Sequence, residues 1–126
     1  MEEHYVDQIM SQPVETVSPT TTLQDAAAEM VRHDVGALVV LDDADRFRGL
    51  LTEADFVLLA RDGRSPSDSA VAEVMRTDVV TTSRVTPVSE AATTMLDHLV
   101  HHVPVVDGGE VVGMLTSMDV ASSFVR

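Results

Sequence analysis

Hydrophobic and polar positions follow one pattern twice along this chain. Val6 to Met10 and Val71 to Met75 are apolar-spaced turns of helix, and the β-prone runs Val14-Glu15-Thr16-Val17 and Val79-Val80-Thr81-Thr82 each predict a short strand. Leu23, Ala26, Ala27, Met30 and Val31 then form a stripe at helical spacing, with Thr21 as the cap and Gln24 placed to return the capping bond. Val88, Ala91, Ala92, Met95 and Leu96 repeat the stripe, with Pro87 suited to the first helical position. Aliphatic runs follow, Ala37 to Leu41 and Val103 to Val106, which read as strands buried on both faces. Each ends on an aspartate, Asp42 or Asp107. A hairpin-like return through Phe47 to Leu51, or Val111 to Leu115, leads into a last helix starting at Thr52 or Thr116.

At a spacing of 65 residues Met10 meets Met75, Thr16 meets Thr81, Met30 meets Met95, His33 meets His98 and Asp42 meets Asp107. One deletion in the hairpin loop then shortens the spacing to 64, and both copies close on Gly-x-x-Thr-x-x-Asp: Gly49, Thr52 and Asp55, then Gly113, Thr116 and Asp119. Repeat one spans residues 1–62 and repeat two residues 71–126, joined over 63–70 by a Gly, Pro and Ser-rich loop. The order in each copy is β-α-β-β-α, an α+β fold. One such unit is too small to cover both faces of its sheet, so the two repeats are expected to pack about a pseudo-twofold axis.

Composition narrows the setting. The chain has 126 residues and no cysteine, which excludes disulfides and thiolate metal sites and fits a reducing compartment. The start Met1-Glu2-Glu3-His4 carries no export signal, and no apolar run approaches the ~20 residues of a membrane span, so a cytoplasmic protein is expected. The net charge is −13 and all eight basic residues are arginine, a balance expected of a salt-loving organism. In ~1 M salt the screening length falls to about 3 Å, self-repulsion fades, and carboxylates serve to hold hydration.

The element order, the Val103-Pro104-Val105-Val106-Asp107 strand and the twofold Gly-x-x-Thr-x-x-Asp resemble a tandem pair of CBS domains, named after cystathionine β-synthase, over about Val6 to Val120. The resemblance implies a regulatory module that binds an adenosine-containing ligand (AMP, ADP, ATP, S-adenosylmethionine or a dinucleotide) in clefts between the copies and transmits its presence to a partner protein. It also implies a homodimer formed through the helices, for which the stripes and the adjacent Phe56, Val57, Leu58 and Leu59 supply apolar surface.

The signature supports that implication chemically. A helix start at Thr52 or Thr116 offers unpaired N–H groups and a positive dipole end to an anion, and the threonine hydroxyl adds a donor. One turn on, Asp55 or Asp119 is placed to accept from both hydroxyls of a ribose, and Gly49 allows close backbone approach. Thr-x-x-Asp at a helix start is also a capping box, and the two roles are compatible. Family likeness further places Gly36 and Ala37, or His101 and His102, beside the ligand, with Val14, Glu15, Val79 and Val80 around the first strands. Because the copies diverge there, the two sites are expected to bind unequally. Replacing Asp55 or Asp119 by Ala is expected to abolish binding at one site and leave the fold intact.

Other functions find little support. His98, His101 and His102 are loosely spaced, and His33, the counterpart of His98, has Gly36 and Ala37 as neighbours, so no metal is expected. The matched methionines Met10, Met30, Met75 and Met95 read as core. No nucleophile-and-base set, Gly-x-Ser-x-Gly or P-loop occurs, so no enzyme and no catalytic cofactor is expected. Eight scattered arginines against 21 acids give no face for nucleic acid. The alternative reading is a ligand-free dimerisation or scaffold module in which Thr52 and Thr116 only cap.

Overall fold

The computed structural model describes residues 4–125; Met1-Glu2-Glu3, part of the stretch read for export, and Arg126, the end of repeat two, lie outside them. In chain order the elements are α1 (Val6–Ile9), β1 (Thr16–Val17), α2 (Leu23–His33), β2 (Ala37–Leu41), β3 (Phe47–Thr52), α3 (Glu53–Arg61), a 3₁₀ turn (Pro66–Asp68), α4 (Val71–Val74), α5 (Val88–His98), β4 (His102–Asp107), β5 (Glu110–Thr116) and α6 (Ser117–Ser122). This is the expected α+β fold with a repeated order.

The chain forms two compact units, and they are not the two sequence repeats. One is Glu15–Val79; the other combines the described parts of Met1–Val14 and Val80–Arg126. Each unit therefore takes its opening helix from the other repeat. The cause is backbone pairing: Leu50 and Arg76 exchange hydrogen bonds of 2.9 and 3.0 Å, and Ser11 and Met114 exchange bonds of 2.8 and 3.0 Å.

In the Glu15–Val79 unit, β2 runs parallel to β1 (Thr16 beside Val39) and antiparallel to β3, with Ala37 opposite Thr52 and a bulge after Val40. Residues 37 to 40 are buried in succession, as the unbroken aliphatic run requires. Leu23, Ala26 and Met30 of α2 pack on Leu38, Val40 and Leu51 of the sheet, and Leu59 and Val71 close the same core. Helix α2 is capped one residue later than expected: Thr22 accepts from the Asp25 amide at 3.1 Å. Thr21 is otherwise engaged, its carbonyl accepting from the Val71 amide at 2.8 Å.

In the other unit β4 and β5 pair antiparallel, His102 opposite Thr116, with a bulge after Val105. Val6, Met10, Ala91, Met95, Val103, Val105 and Leu115 form its core. The first strand of repeat two shrinks to one parallel bridge, Thr82 beside Val105. Pro87 is not the first helical residue but the cap before α5, extended at φ −60 and ψ 141, its carbonyl accepting from the Glu90 and Ala91 amides at 3.0 and 3.1 Å. No helix among the described residues is long and apolar enough to cross a membrane.

Candidate functional site

Each unit gathers one set of the expected site residues at one end of its sheet. In the first, β3 ends at Thr52, whose extended backbone (φ −127, ψ 168) turns the chain into α3. Asp55, one turn later, accepts from the Thr52 amide through Oδ2 at 2.8 Å. The Glu53 amide donates to the Gly36 carbonyl at 3.1 Å, which ties the start of β2 to the start of α3. Ala37 lies opposite Thr52, and the Glu15 carbonyl accepts from Val39 at 3.0 Å. Gly36, Ala37, Thr52 and Asp55 thus meet at one turn, with the Glu15 carbonyl bonded two residues further along β2, at Val39. The Glu15 carboxylate lies 3.5 Å from His33 Nε2, which also lies 3.1 Å from Glu29.

The second unit repeats the construction. Thr116 caps α6, its amide donating to Asp119 Oδ2 at 2.9 Å while the Asp119 amide returns to the Thr116 hydroxyl at 3.0 Å. The Ser117 amide donates to the His101 carbonyl at 3.0 Å, as Glu53 does to Gly36. His102 is half-buried opposite Thr116, and His101 is exposed. Val80 packs on this unit's core, and Val14 is half-buried here as Val79 is in the first unit.

Three expectations need correction. The helix starts are not rows of unpaired amides: those of Thr52, Glu53, Thr116, Ser117 and Asp119 donate to the chain itself. Secondly, Asp55 is not an open carboxylate. It is 4% exposed and held by Thr52 and, through Oδ1, by Arg76 Nε at 3.5 Å. Thirdly, the close approach that Gly49 permits is made by the chain: a Cβ there would stand 2.6 Å from the Arg76 carbonyl and 3.0 Å from Met75 Sδ. Capping leaves binding chemically open, because a carboxylate has about four lone-pair sites and neither aspartate fills them all.

Sequence reasoning missed the residues beside the aspartates. Arg76 contacts Asp55, and Ser11, its counterpart at the spacing of 65, places Oγ 3.3 Å from both carboxylate oxygens of Asp119. The signal was present: each follows a matched methionine directly. Of the histidines considered for metal, His98 sets Nδ1 2.9 Å from the Thr94 carbonyl. Among the described residues no group of three or more His, Cys, Asp or Glu is placed to hold a metal ion.

Charge is organised on α2, where Arg32 and His33 lower the Glu29 pKa, and most strongly at the hairpin loop of repeat one. Backbone bonds from Arg46 and Ala44, joined by the Arg48 and Arg46 side chains, lower the Asp42 pKa from 3.8 to about 2.

Known proteins share this architecture. The family model of the CBS domain matches residues 6–62 and 71–126. The CBS domain-containing protein YhcV of Bacillus subtilis is 35% identical over 120 residues, covering 92% of this chain and 82% of the relative. The CBS domain pair of protein MJ0100, solved in complex with 5-methylthioadenosine and S-adenosyl-L-methionine, superposes with a TM-score of 0.90 at 27% identity over 98% of this chain and 97% of that one. Hypoxic Response Protein I, solved with two coordinated zinc ions, superposes with a TM-score of 0.82 at 31% identity over 94% and 98%. Two matches that together take in nearly every residue, with the fold to go with them, leave one conclusion: this chain belongs to the CBS domain family and carries two of its domains in tandem.

Proposed function

We propose that this chain is a regulatory module, not a catalyst, which binds an adenosine-containing ligand (AMP, ADP, ATP or S-adenosylmethionine) at the Thr52–Asp55 and Thr116–Asp119 turns and signals its presence to a partner protein. One observation carries the reading: both copies keep a hydroxyl and a carboxylate at the start of the last helix, with the start of the preceding hairpin tied to it by the same amide-to-carbonyl bond. The MJ0100 pair, alike in fold, binds two adenosine compounds. Gly36, Ala37 and Glu15 flank one turn; His101, His102 and Val80 serve the other, with Val14 and Val79 at the margins. The repeats differ most at these positions, so unequal affinity is expected.

The test is a calorimetric and thermal-shift titration in molar KCl with AMP, ADP, ATP and S-adenosylmethionine. A ligand at ~100 times its dissociation constant stabilises the fold by roughly 2.7 kcal/mol. If none of the four gives heat or a shift, the adenosine reading fails. The scaffold reading, favoured by the capping role of a 4% exposed Asp55, then takes its place.

The same module is proposed to act as a homodimer. A groove of about 410 Å³ between α2 and α3, lined by Ala27, Met30, Val31, Val35 and Phe56 with Asp34 and Glu53 among them, offers a largely apolar surface suited to a second copy.

A further inference from the structure

Seven arginines lie among the described residues, and all are paired with carboxylates. Six of them make contacts of 2.6 to 3.3 Å; Arg76 makes the longest, 3.5 Å from Nε to Asp55 Oδ1. Its side chain is 50% exposed although its partner is 4% exposed. The backbone of Arg76 is fixed on Leu50 by two hydrogen bonds, so its Cα stands beside the strand that ends at Thr52. One edge of the guanidinium thus touches Asp55, and among the described residues no other group engages it. The remaining N–H donors form a planar fork whose geometry matches a phosphate.

Around this turn every other charged side chain of the first helical turn is acidic, Glu53 and Asp55. A phosphate approaching without Arg76 would meet the Glu53 and Asp55 carboxylates with no cation of the turn to offset them, an unfavourable pairing of like charges. In the other unit Ser11 occupies the equivalent place and brings a hydroxyl but no charge.

We propose that Arg76 is a specificity residue that makes the Thr52–Asp55 turn prefer adenosine ligands bearing phosphate over the uncharged nucleoside. The inference rests on the adenosine reading above and adds the ligand's charge to it. Arg76 also balances the buried carboxylate of Asp55, and a purely structural role is the competing account.

The experiment compares adenosine, AMP and ATP by calorimetry on the full chain, with Arg76→Ser, which copies the other repeat, and Arg76→Lys, which keeps the charge. A charge-assisted contact to phosphate should make AMP bind the parent about tenfold or more tightly than adenosine. R76S should reduce that ratio to near one while adenosine affinity stays as in the parent, R76K should keep most of it, and added KCl should shrink it in the parent. An unchanged ratio in R76S overturns the proposal and leaves the adenosine reading standing. Equal losses for adenosine and AMP also overturn it, because they mark a structural role through Asp55. A parent that binds none of the three overturns the proposal, while the adenosine reading then stands or falls with ADP and S-adenosylmethionine.

Discussion

Met10 lies directly over Gly113: a Cβ on that glycine would stand 2.5 Å from Met10 Sδ. Met75 and Gly49 repeat the relationship, at 3.0 Å, with the Arg76 carbonyl closer still at 2.6 Å. The glycine that opens each signature therefore makes room for the opening segment of the other repeat, and sets Ser11 and Arg76 beside Asp119 and Asp55. Packing and site geometry share one cause.

Gly49→Ala is expected to destabilise the protein more than Gly113→Ala. Overpacking typically costs about 1–3 kcal/mol. The clash at Gly49 is with backbone held by the Leu50–Arg76 pairing, whereas that at Gly113 is with the flexible end of Met10. Values near ~3 and ~1 kcal/mol follow, read by urea denaturation. Met10→Ala combined with Gly113→Ala should cost less than the two changes added, since the cavity of one relieves the clash of the other. Strict additivity would show that Met10 does not occupy that space.

Asp55→Ala should lower stability by about 2 kcal/mol, because it leaves the Thr52 amide without its acceptor and Arg76 without its counter-ion. Asp119→Ala should cost only about 1 kcal/mol, since Asp119 is less buried. The expectation that alanine here leaves the fold intact is therefore tested hardest at Asp55. Asp55→Asn keeps an acceptor for Thr52 and should stay within ~1 kcal/mol of the parent. It is the better variant for ligand titrations. Equal losses for both alanine variants in thermal unfolding would contradict the difference in burial.

Much of the fold is legible in the sequence because local rules and tertiary demands agree. The run Ala37 to Leu41 is strand by composition and buried by position, and the stripe from Leu23 to Met30 needs no partner to be recognised. Boundaries slip where several residues fit one role. Thr20, Thr21 and Thr22 are chemically equal caps; in the structure the Thr22 hydroxyl caps α2, while the Thr21 carbonyl accepts from Val71 at the start of α4. The exchange of opening helices is not legible, since periodicity reports which faces are apolar and not which sheet covers them. For the same reason the signature residues are read correctly as a cluster, while Arg76 and Ser11 go unread. They belong to it only through a crossing far along the chain.

If the chain forms a homodimer through its helices, a charge on their outer faces should break it without unfolding the protomer. Val31 on α2 and Leu96 on α5 occupy equivalent places and are 82% and 75% exposed. Leu96→Asp should change protomer stability by no more than ~0.5 kcal/mol, as surface substitutions do. Light scattering in molar KCl should give a dimer for the parent and a monomer for L96D. A parent that is monomeric at micromolar concentration refutes the dimer, and an L96D dimer moves the interface off α5.

Acid should weaken the hairpin loop of repeat one in a defined window. Asp42 Oδ1 accepts from the Ala44 and Arg46 amides at 2.9 and 3.0 Å, and Oδ2 accepts from Arg46 Nε at 2.9 Å and Arg48 Nη1 at 3.3 Å. These contacts, with the backbone bond from Arg46 the largest, hold its pKa at about 2, below the ordinary 3.8. A carboxylate with a depressed folded-state pKa contributes stability above its unfolded pKa, and the contribution is lost as pH falls through the folded value. The stability that Asp42 supplies should therefore be intact at neutral pH and decline between about pH 4 and pH 2. Asp42→Asn lacks that term, so its urea midpoint should lie below the parent's at pH 7 and approach it as pH drops through the window. Backbone bonds act at contact distance and resist screening, so the gap should largely persist in molar KCl, where an effect of the arginine charges alone would fade. A side-chain carboxyl of Asp42 that titrates by carbon NMR near 3.8 in the folded protein would remove the basis for this expectation.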